Sequence, residues 1–266
     1  MSSIRKLASV AAAVARMTNP LTAAYCLSQM ALAAPSIIRE RSPNAVSRRL
    51  AGREVSVQCL GVSMKIDGDA FLGALEMYGR RVYFAYPELR INPGDVVLDL
   101  GANQGLFTLL ASRIGARCVA VEMQSGLLTL ISRNLAANGC RAEIAHGLVG
   151  PKSGVFSDPA QMRAASHFGS NPPVISVNGL IEEFRLPRID FLKIDIEGSE
   201  FDLFEHDTEW LALTGRIAME VHGPHGDPER IVDALSSAGF TVRRRTAALT
   251  EIEVLHASGY LYAFRA

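Results

Sequence analysis

Val96–Phe107 reads VVLDLGANQGLF, an apolar run that meets an acid and then two glycines separated by three residues. The apolar run predicts a buried strand, and the residues after Gly105 return to the apolar spacing of a helix. Glycines at such a junction permit the tight turn between a parallel strand and the helix that follows it. The stretch therefore predicts the first strand and helix of a parallel α/β sheet.

Strand and helix patterns continue to alternate along the rest of the chain. Further strands are predicted at CVAVEM, RAEIAHGLV, IDFLKIDI and RIAMEV, with amphipathic helices between them. The last two strand patterns, FTVRRRT and GYLYAFRA, have no helix between them, so we expect them to pair antiparallel. The predicted fold is α/β, a doubly wound and mostly parallel sheet that ends in an antiparallel hairpin.

Three segments are predicted from the changes in pattern. Residues 1–53 form a basic, helical N-terminal extension, and residues 95–266 form the ligand-binding domain. Residues 54–94 form a lead-in, with an antiparallel strand pair broken at Gly61 and then a helical pattern, which we expect to cap the substrate. Within the ligand-binding domain, the irregular stretch Gly150–Pro173 is the best candidate for a substrate-facing loop.

Composition and charge limit the classes of partner. The chain has 266 residues, 48% hydrophobic and 20% charged, which suits one folded domain with an appendage. Lys plus Arg and Asp plus Glu both total 27, which gives no general reason to bind nucleic acid. Residues 1–53 hold eight Lys or Arg and one Glu, a net charge of +7, so the remainder carries −7. Four scattered cysteines indicate a reducing, cytoplasmic compartment.

The N-terminal segment is predicted to form one or two packed helices. Ile4, Leu7, Ala11 and Val14 share one helical face. Thr18–Ile38 is uncharged, but its prolines and polar residues make it a poor membrane span. Two alternatives stay open: a secretory signal, and a basic amphipathic arm that touches anionic lipid or a partner, which would make the protein peripheral to the membrane.

The glycine spacing distinguishes between nucleotide-like ligands. Ligands of open parallel sheets lie beyond the carboxyl ends of the strands, and a dinucleotide needs G-x-G-x-x-G, whereas this loop has G-x-x-x-G. Asp99, two residues before Gly101, would repel a pyrophosphate and attract a cation. Glu122 ends the second strand, where a carboxylate can accept hydrogen bonds from ribose hydroxyls. A ligand with a ribose, an ammonium, a carboxylate and no phosphate is S-adenosylmethionine.

The residues predicted to bind this cofactor lie at the two strand ends. They are Asp99, Gly101, Ala102, Asn103, Gln104, Gly105, Phe107, Glu122 and Met123. A strand-to-helix turn of purely structural role is the alternative interpretation of the glycine loop.

The catalytic candidates lie at the ends of the fourth and fifth strands. Lys193, Asp195 and Glu197 share one face by the period of two, and Glu220 and His222 do so on the next strand. Asp195, Glu197 and His222 are the candidates for a general base that accepts a proton from a hydroxyl. His222 has the most suitable intrinsic pKa, and Asp195 is an alternative orienting group for the acceptor or the methionine ammonium.

Two other interpretations of these side chains stay open. In the first, the lysine and the carboxylates form a buried network whose groups only pair with one another and have no catalytic role. A divalent ion held by Asp195, Glu220 and His222 could lower the pKa of the acceptor, but no diagnostic ligand spacing supports one, so no metal is expected.

Three stretches together resemble a known family. FLKIDIEGSEFDLFE is similar to the K-I-D-x-E-G-x-E signature of the FkbM family of S-adenosylmethionine-dependent methyltransferases, and DLGANQGLFTLLAS and VEMQSGLLTLISRNLAANG support it. The resemblance covers residues 70–222, and the general class I methyltransferase fold extends it to the end. It implies a seven-stranded sheet whose last two strands form the hairpin. It also implies O-methylation of a hydroxyl on a sugar or secondary metabolite.

The chain departs from the family at two places. Asn178 and Gly179, in SVNGLIEE, stand where the family has a Leu-Asp-Asp stretch. Pro151 stands beyond the third strand, where an acid is common in the family, so adenine recognition there would rest on backbone groups.

The leading hypothesis is an O-methyltransferase that acts on a small-molecule or glycan hydroxyl and not on nucleic acid. A nicotinamide-dependent oxidoreductase is the second, although Asp99 and the glycine spacing argue against it. The third is a non-catalytic module that keeps the fold and binds a partner through its basic arm.

Overall fold

The computed structural model describes residues 3–150 and 172–265. Most of the predicted substrate-facing loop, Gly150–Pro173, therefore lies outside the described residues, as does Pro151. The chain divides into two compact units, and the predicted boundaries at residues 53 and 94 stay predictions. The first unit lies within Met1–Val82 and Arg133–Cys140, and the second within Tyr83–Ser132 and Arg141–Ala266.

The first unit contains helices and one hairpin. Its elements are α1 (Ser3–Met17), α2 (Pro20–Glu40), α3 (Asn44–Leu50), β1 (Glu54–Cys59), β2 (Val62–Asp67) and α4 (Phe71–Ala74), which continues into a π-helical turn at Leu75–Arg80. The side chain of Asn19 caps α2 by accepting a hydrogen bond of 2.9 Å from the Thr22 N–H. A Cβ at Gly79 would lie 2.9 Å from the Ala13 carbonyl oxygen, so α1 packs closely on the π-helical turn.

The predicted antiparallel pair broken at Gly61 is confirmed. β1 and β2 pair antiparallel from Glu54 opposite Asp67 to Cys59 opposite Val62. Leu60 and Gly61 form the connection, with φ angles of 48° and 84°. Two successive positive φ angles are typical of the tight turn that matches the twist of a hairpin.

The N-terminal helices agree with the prediction in part. Val14 of α1 is buried and Ala11 is half-buried, whereas the side chains of residues 3–7 lie outside the description. The prolines do not interrupt α2. Pro20 begins the helix, where no backbone N–H is needed, and Pro35 lies inside it. By length and composition alone, Pro20–Glu40 is the one helix of the described chain that could cross a membrane.

The second unit contains the large sheet and its helices. Its strands are β3 (Val96–Leu100), β4 (Arg117–Glu122), β5 (Glu143–His146), β6 (Leu148–Val149), β7 (Val174–Ile175), β8 (Ile189–Ile194), β9 (Thr214–Val221), β10 (Thr241–Thr246), β11 (Glu251–Ile252) and β12 (Gly259–Phe264). Its helices are α5 (Leu106–Ile114), α6 (Ser125–Ala137, whose last turn belongs to the first unit), α7 (Val177–Glu183), α8 (Glu200–Leu203) and α9 (Pro228–Ser237). The predicted strand RAEIAHGLV is two strands, β5 and β6.

The sheet topology confirms the predicted α/β class. The strand order is β11-β10-β12-β9-β8-β3-β4-β5. β8, β9, β3, β4 and β5 run parallel, and β12 pairs antiparallel with both β9 and β10. The two-residue strand β11 makes the sheet eight-stranded where seven were expected. The order reverses at β3, which places a ligand cleft beyond the carboxyl end of that strand.

Helices cover both faces of the sheet. On one face, Leu98 and Leu192 belong to a buried apolar cluster with side chains of α7, α8 and α9. On the other face, Phe191 of β8 contacts Phe107 of α5, with ring centroids 5.3 Å apart. Burial on both faces explains why β3 is apolar at nearly every position and lacks strict alternation.

All four cysteines are free, in agreement with the prediction of small, isolated thiols. Cys26, Cys59 and Cys118 are buried, and Cys140 is half-buried. Burial raises the pKa of Cys26 and of Cys59 to about 11, which keeps both thiols protonated at neutral pH. The cytoplasmic location itself stays a prediction.

Candidate active site

A cleft lies beyond the carboxyl ends of β3, β4 and β8. It has an open volume of about 610 Å³, part of which is continuous with solvent. Carboxylates from two different strand ends reach it. The described residues that line it are Gly101, Asn103, Val121, Glu122, Met123, Gln124, Gly147, Leu148, Val149, Asp195, Ile196 and Glu197.

Glu122 joins the loop after β3 to the end of β4. Its Oε2 accepts a hydrogen bond of 2.8 Å from the Asn103 N–H, and its Oε1 accepts one of 2.8 Å from the Gln124 N–H. Burial raises the pKa of Glu122, and these two N–H groups oppose that shift. Each carboxylate oxygen keeps a second lone pair, so this rigid carboxylate can still accept hydrogen bonds from a ligand.

Four of the nine residues predicted to bind the cofactor line the cleft. They are Gly101, Asn103, Glu122 and Met123. The other five are not among its lining residues, and they are Asp99, Ala102, Gln104, Gly105 and Phe107. Ala102 and Gly105 are buried in the turn itself, where the Gly105 N–H donates to the Ala102 carbonyl over 2.8 Å.

Asp99 differs most from its predicted role. Its carboxylate is fully buried, where Oδ2 accepts hydrogen bonds from the Thr108 hydroxyl at 2.6 Å and N–H at 3.2 Å. Oδ1 lies 3.2 Å from Lys193 Nζ. Asp99 therefore supports the glycine loop from beneath and does not itself meet a cation in the cleft.

Phe107 is also a core residue. Its ring stacks on Phe84 with centroids 5.6 Å apart and meets Tyr83 edge-on at 5.8 Å. Its side chain has no solvent exposure. Phe107 is the second residue of α5, and it faces the sheet by the same periodicity that makes the helix amphipathic, which is why its proximity in sequence did not bring it to the cleft.

The two glycines of the loop serve close packing. A Cβ at Gly101 would lie 1.8 Å from the Asp195 carbonyl oxygen, and one at Gly105 would lie 2.9 Å from the Ile131 side chain. Both have φ of 75°. In the structure both glycines closely approach neighbouring chain segments, and the expectation that they let the backbone approach a ligand stays a prediction. Only Gly101 also borders the cleft.

The three predicted catalytic side chains lie together. His222 Nε2 is 3.4 Å from Glu197 Oε2, and His222 Nδ1 is 2.8 Å from Glu200 Oε1. The Glu200 carboxylate is fully buried and also accepts a 3.1 Å hydrogen bond from the Ile196 N–H. One ligand atom each of Asp195, Glu197 and His222 lies within 4.8 Å of the others.

His222 has a higher pKa in the structure than the ordinary histidine value that made it a candidate general base. Burial lowers its pKa, but the hydrogen bond to Glu200 and the charges of Glu200, Glu197 and Asp195 outweigh burial and raise the pKa to about 9. His222 is therefore protonated at neutral pH in this state. A protonated imidazole cannot accept a proton, so of the three predicted catalytic side chains only the carboxylates, Asp195 and Glu197, remain candidates for that role.

Asp195 is held from behind by a tyrosine and a lysine. The Tyr83 hydroxyl donates a hydrogen bond of 3.0 Å to Asp195 Oδ2, and Lys193 Nζ lies 3.8 Å from the same oxygen. Burial, followed by the charges of Asp195 and Glu220, raises the pKa of Tyr83 well above its usual range, so it remains a donor. These contacts fix the Asp195 carboxylate at the wall of the cleft.

Lys193 is deeply buried, as predicted, and ties β8 to the end of β3. Its Nζ donates to the carbonyl oxygens of Gly101 at 2.6 Å and Leu100 at 3.3 Å, besides pairing with Asp99. Burial lowers its pKa, but Asp99 and Asp195 more than offset this and raise it. Part of the predicted polar network is therefore structural, and only its outer members reach the cleft.

Among the described residues, a divalent cation would fit best between Asp195, Glu197 and His222. Both imidazole nitrogens of His222 carry protons in this state, because the ring is protonated. A cation bound there would have to displace one of these protons. The expectation that no metal is bound stays a prediction.

Sequence reasoning missed two residues that organise the site. Glu200 is the last acid of the KIDIEGSE stretch, and this position in the motif was its only signal. Tyr83 lies 112 residues from its partner Asp195, and no local pattern could have paired them. The lining residues Gly147, Leu148 and Val149 follow β5 directly, so the end of the third strand was the available signal for them.

The departure at SVNGLIEE has a structural explanation. Ser176 caps α7 by accepting a 3.0 Å hydrogen bond from the Gly179 N–H. Asn178 donates a 3.0 Å hydrogen bond to Glu209 Oε2. Neither Asn178 nor Gly179 lines the cleft.

Residues 99–242, more than half of the chain, match the family described as Methyltransferase FkbM domain. A curated relative, the AMB antimetabolite synthetase AmbE of Pseudomonas aeruginosa, is 29% identical over 213 residues, which cover 60% of this chain and 10% of that protein. Another, the 23S rRNA (uracil(1939)-C(5))-methyltransferase RlmD of Acidithiobacillus ferrooxidans, is 31% identical over 97 residues, 36% of this chain and 21% of that protein.

The chain thus spans about a tenth and about a fifth of the length of these two relatives. A similar solved structure is the precorrin-6y C5,15-methyltransferase of Geobacter metallireducens, with a TM-score of 0.46 and 14% identity, covering 71% of this chain and 89% of that chain. The family match spans the glycine loop, Glu122 and the acids after β8. The chain belongs to the methyltransferase FkbM domain family.

Proposed function

We propose that this protein transfers a methyl group from S-adenosylmethionine to a hydroxyl oxygen of a sugar, glycan or secondary metabolite. One observation carries the proposal: a single cleft is lined both by Glu122, at the end of β4, and by Asp195 and Glu197, after β8. The first carboxylate suits ribose hydroxyls, and the other two suit the proton of an acceptor. Donor and acceptor would therefore meet in one space.

The charge of the cleft fits S-adenosylmethionine. Three carboxylates line it, from Glu122, Asp195 and Glu197, and the described lining residues include no lysine or arginine. A sulfonium and an ammonium are attracted to such a surface, whereas a pyrophosphate is repelled. This observation disfavours the nicotinamide alternative. When bound, the cofactor supplies an electrophilic methyl group.

The residues of the cleft would handle the proton of the acceptor. In the transfer, the hydroxyl oxygen bonds to the methyl carbon, the electrons of the carbon–sulfur bond stay on sulfur, and the hydroxyl proton leaves. Asp195 and Glu197 are the acceptors for that proton, because His222 is already protonated. The positive charge of His222, held by Glu200, keeps Glu197 in place.

Ligand-induced stabilisation tests the cofactor. S-adenosylhomocysteine is expected to raise Tm, because a ligand that binds only the folded state stabilises it, and NADH is expected to leave Tm unchanged. Glu122→Gln should remove most of the shift. Glu143→Gln on the neighbouring strand β5 is the matched control, because Glu143 does not line the cleft, and it should keep the shift. A Tm shift with NADH alone would favour the oxidoreductase.

Transfer of a labelled methyl group tests the acceptor. The protein would be incubated with methyl-labelled S-adenosylmethionine and fractionated host glycans, small molecules and nucleic acid. Label is expected on a hydroxyl oxygen in the first two fractions, and Asp195→Asn with Glu197→Gln should reduce it at least about tenfold. Label in nucleic acid would contradict the proposed acceptor. Cofactor binding with no labelled product in any fraction would favour the non-catalytic module.

A further inference from the structure

Helix α2 exposes an apolar face within the first unit. Leu21, Leu32 and Ile38 are 85%, 59% and 78% exposed, and they are three of the five exposed large hydrophobic residues of the described chain. Soluble proteins expose single apolar residues freely, but a continuous apolar strip on one element indicates a binding surface.

The exposed residues of α2 lie on one side of the helix. At 100° per residue, Leu21, Leu32 and Ile38 fall within an arc of about 120°, and Pro35, two alanines and one polar residue, the exposed Ser28, lie between them. Ala24 and Ala31 are these alanines, and both are exposed. From Pro20 to Ile38 the helix has no charged residue. The strip is therefore apolar along nearly the whole helix.

The opposite side of α2 already has its partners. Ala23, Cys26 and Ala33 are buried, and α2 packs against α1 and α3. The fully buried side chains on this side are small, and Met30 and Ile37 on the same side are half-buried.

Arginines surround the C-terminal end of the apolar strip. Arg39 and Arg48 have side chains that are 79% and 57% exposed, and Arg41 and Arg49 are exposed as well. Glu40, the one acid in residues 1–53, pairs with both Arg39 and Arg48. The pairing of one acid with two arginines leaves a net positive surface, which complements anionic lipid headgroups.

The length of α2 also matches a bilayer, since 21 residues extend about 31 Å. However, its inner face is held by α1 and α3, so a spanning helix would have to lose that packing. A helix that lies in the plane of the interface keeps its packing, buries its apolar strip and leaves its arginines at the headgroups.

We propose that α2 binds the surface of an anionic phospholipid bilayer through the strip formed by Leu21, Leu32 and Ile38, with the arginines that follow it at the headgroups. The inference goes beyond the methyl transfer and does not depend on it. It places the enzyme where an acceptor carried by a lipid or presented at a membrane would be at high local concentration.

Vesicle flotation with the full chain tests the proposal. The protein should float with vesicles of phosphatidylcholine that contain about 30% phosphatidylserine, and much less of it should float with vesicles of phosphatidylcholine alone. High salt should release the bound protein. The double variant Leu21→Glu with Leu32→Glu should lose at least about tenfold in vesicle affinity. Circular dichroism would establish that the variant is folded.

The matched control replaces the two other exposed large hydrophobic residues. Leu213 and Val254 are 42% and 44% exposed and lie in the second unit. Leu213→Glu with Val254→Glu adds the same negative charge and should leave vesicle binding unchanged. Equal loss in both double variants would overturn the proposal, because net charge alone would then explain the binding.

Two further outcomes would also overturn it. If the protein stays with membranes after alkaline carbonate extraction, α2 crosses the bilayer. The second outcome is that the protein binds neither kind of vesicle and is a dimer in light scattering. If Leu21→Glu with Leu32→Glu then converts that dimer into a monomer, the strip belongs to an interface between two copies.

Discussion

His222 carries a positive charge because two glutamates of unlike exposure hold it. The Glu200 carboxylate is fully buried at 2.8 Å from Nδ1, and Glu197, with a side chain that is 63% exposed, lies 3.4 Å from Nε2. A buried carboxylate with an unprotonated partner would be costly, so the proton on His222 stabilises the folded state. The same proton removes His222 from the set of general bases.

The raised pKa of His222 predicts a specific dependence of stability on pH. A group whose pKa is higher in the folded state stabilises the fold fully below its unfolded pKa, near 6.5, and loses that contribution as the pH rises through about 9. His222→Gln should therefore reduce the free energy of unfolding by up to about 3 kcal/mol more near pH 6 than near pH 10.

Urea denaturation at several pH values measures this difference. His206→Gln, at an exposed histidine of the same unit, is the control and should show no such trend. A destabilisation by His222→Gln that stays constant from pH 6 to pH 10 would show that His222 is neutral in the folded protein.

At the residue scale, sequence reasoning identified the acids of the site but not their partners. Asp195 and Glu197 line the cleft, and the period of two agrees with the contact between Asp195 and Lys193, whereas Glu197 lies beyond the end of β8. Sequence reasoning also predicted that Asp99 faces the ligand, but its carboxylate accepts a hydrogen bond from Thr108 and pairs with Lys193. Whether an acid faces a ligand or a buried lysine depends on the neighbouring strand, and one strand alone does not contain that information.

At the scale of elements, the loop between β3 and α5 determines how closely the strands meet. Gly101 has a φ of 75°, and a Cβ there would lie 1.8 Å from the carbonyl oxygen of Asp195, the residue after β8. The Asp195 carbonyl oxygen is a backbone atom, so it cannot rotate away from a new Cβ as the end of a flexible side chain could. Any side chain at Gly101 must therefore displace the end of β8 or change the loop.

Gly101→Ala should destabilise the fold by more than about 4 kcal/mol, because steric overlap adds to an unfavourable backbone angle. Gly94→Ala is the matched control, since Gly94 has a φ of 84° and no atom would lie within 4 Å of its Cβ. We expect about 1–2 kcal/mol for Gly94→Ala, from the angle alone. Urea denaturation measures both, and equal losses would mean that the contact with Asp195 is not restrictive.

The elements themselves were largely predictable. Hydrophobic period predicts strand β3. Connection length predicts that the central strands run parallel and that β10 and β12 pair antiparallel. The two-residue strand β11 was missed, because two residues have no period. Helix α2 keeps both of its prolines, because Pro20 occupies the first turn and Pro35 leaves the helix intact.

At the scale of the whole molecule, charge is separated along a chain whose net charge is zero. Residues 1–53 carry +7 and the remainder carries −7. A neutral protein with this distribution should be retained by cation-exchange resin at pH 7 and low salt, because local charge and not net charge governs adsorption to a surface.

Charge-neutralising variants test this separation. Arg41→Gln with Arg49→Gln should weaken retention on the cation-exchange resin more than Arg113→Gln with Arg185→Gln, although both pairs are exposed and change the net charge equally. The salt concentration at elution is the measurement. Elution of both variants at the same salt would show that the basic segment does not act as a separate surface.

The contact between Gly101 and the Asp195 carbonyl bears on how acceptor specificity can evolve. In the proposed reaction, the loop that would meet the donor and the residue that would meet the acceptor share one wall of the cleft, and the Asp195 N–H also donates to the carbonyl oxygen of Leu100, the last residue of β3, over 3.0 Å. A substitution at this wall is then expected to change the affinity for both substrates at once. Directed evolution toward a new acceptor is therefore best confined to positions away from it, where the two affinities can vary independently.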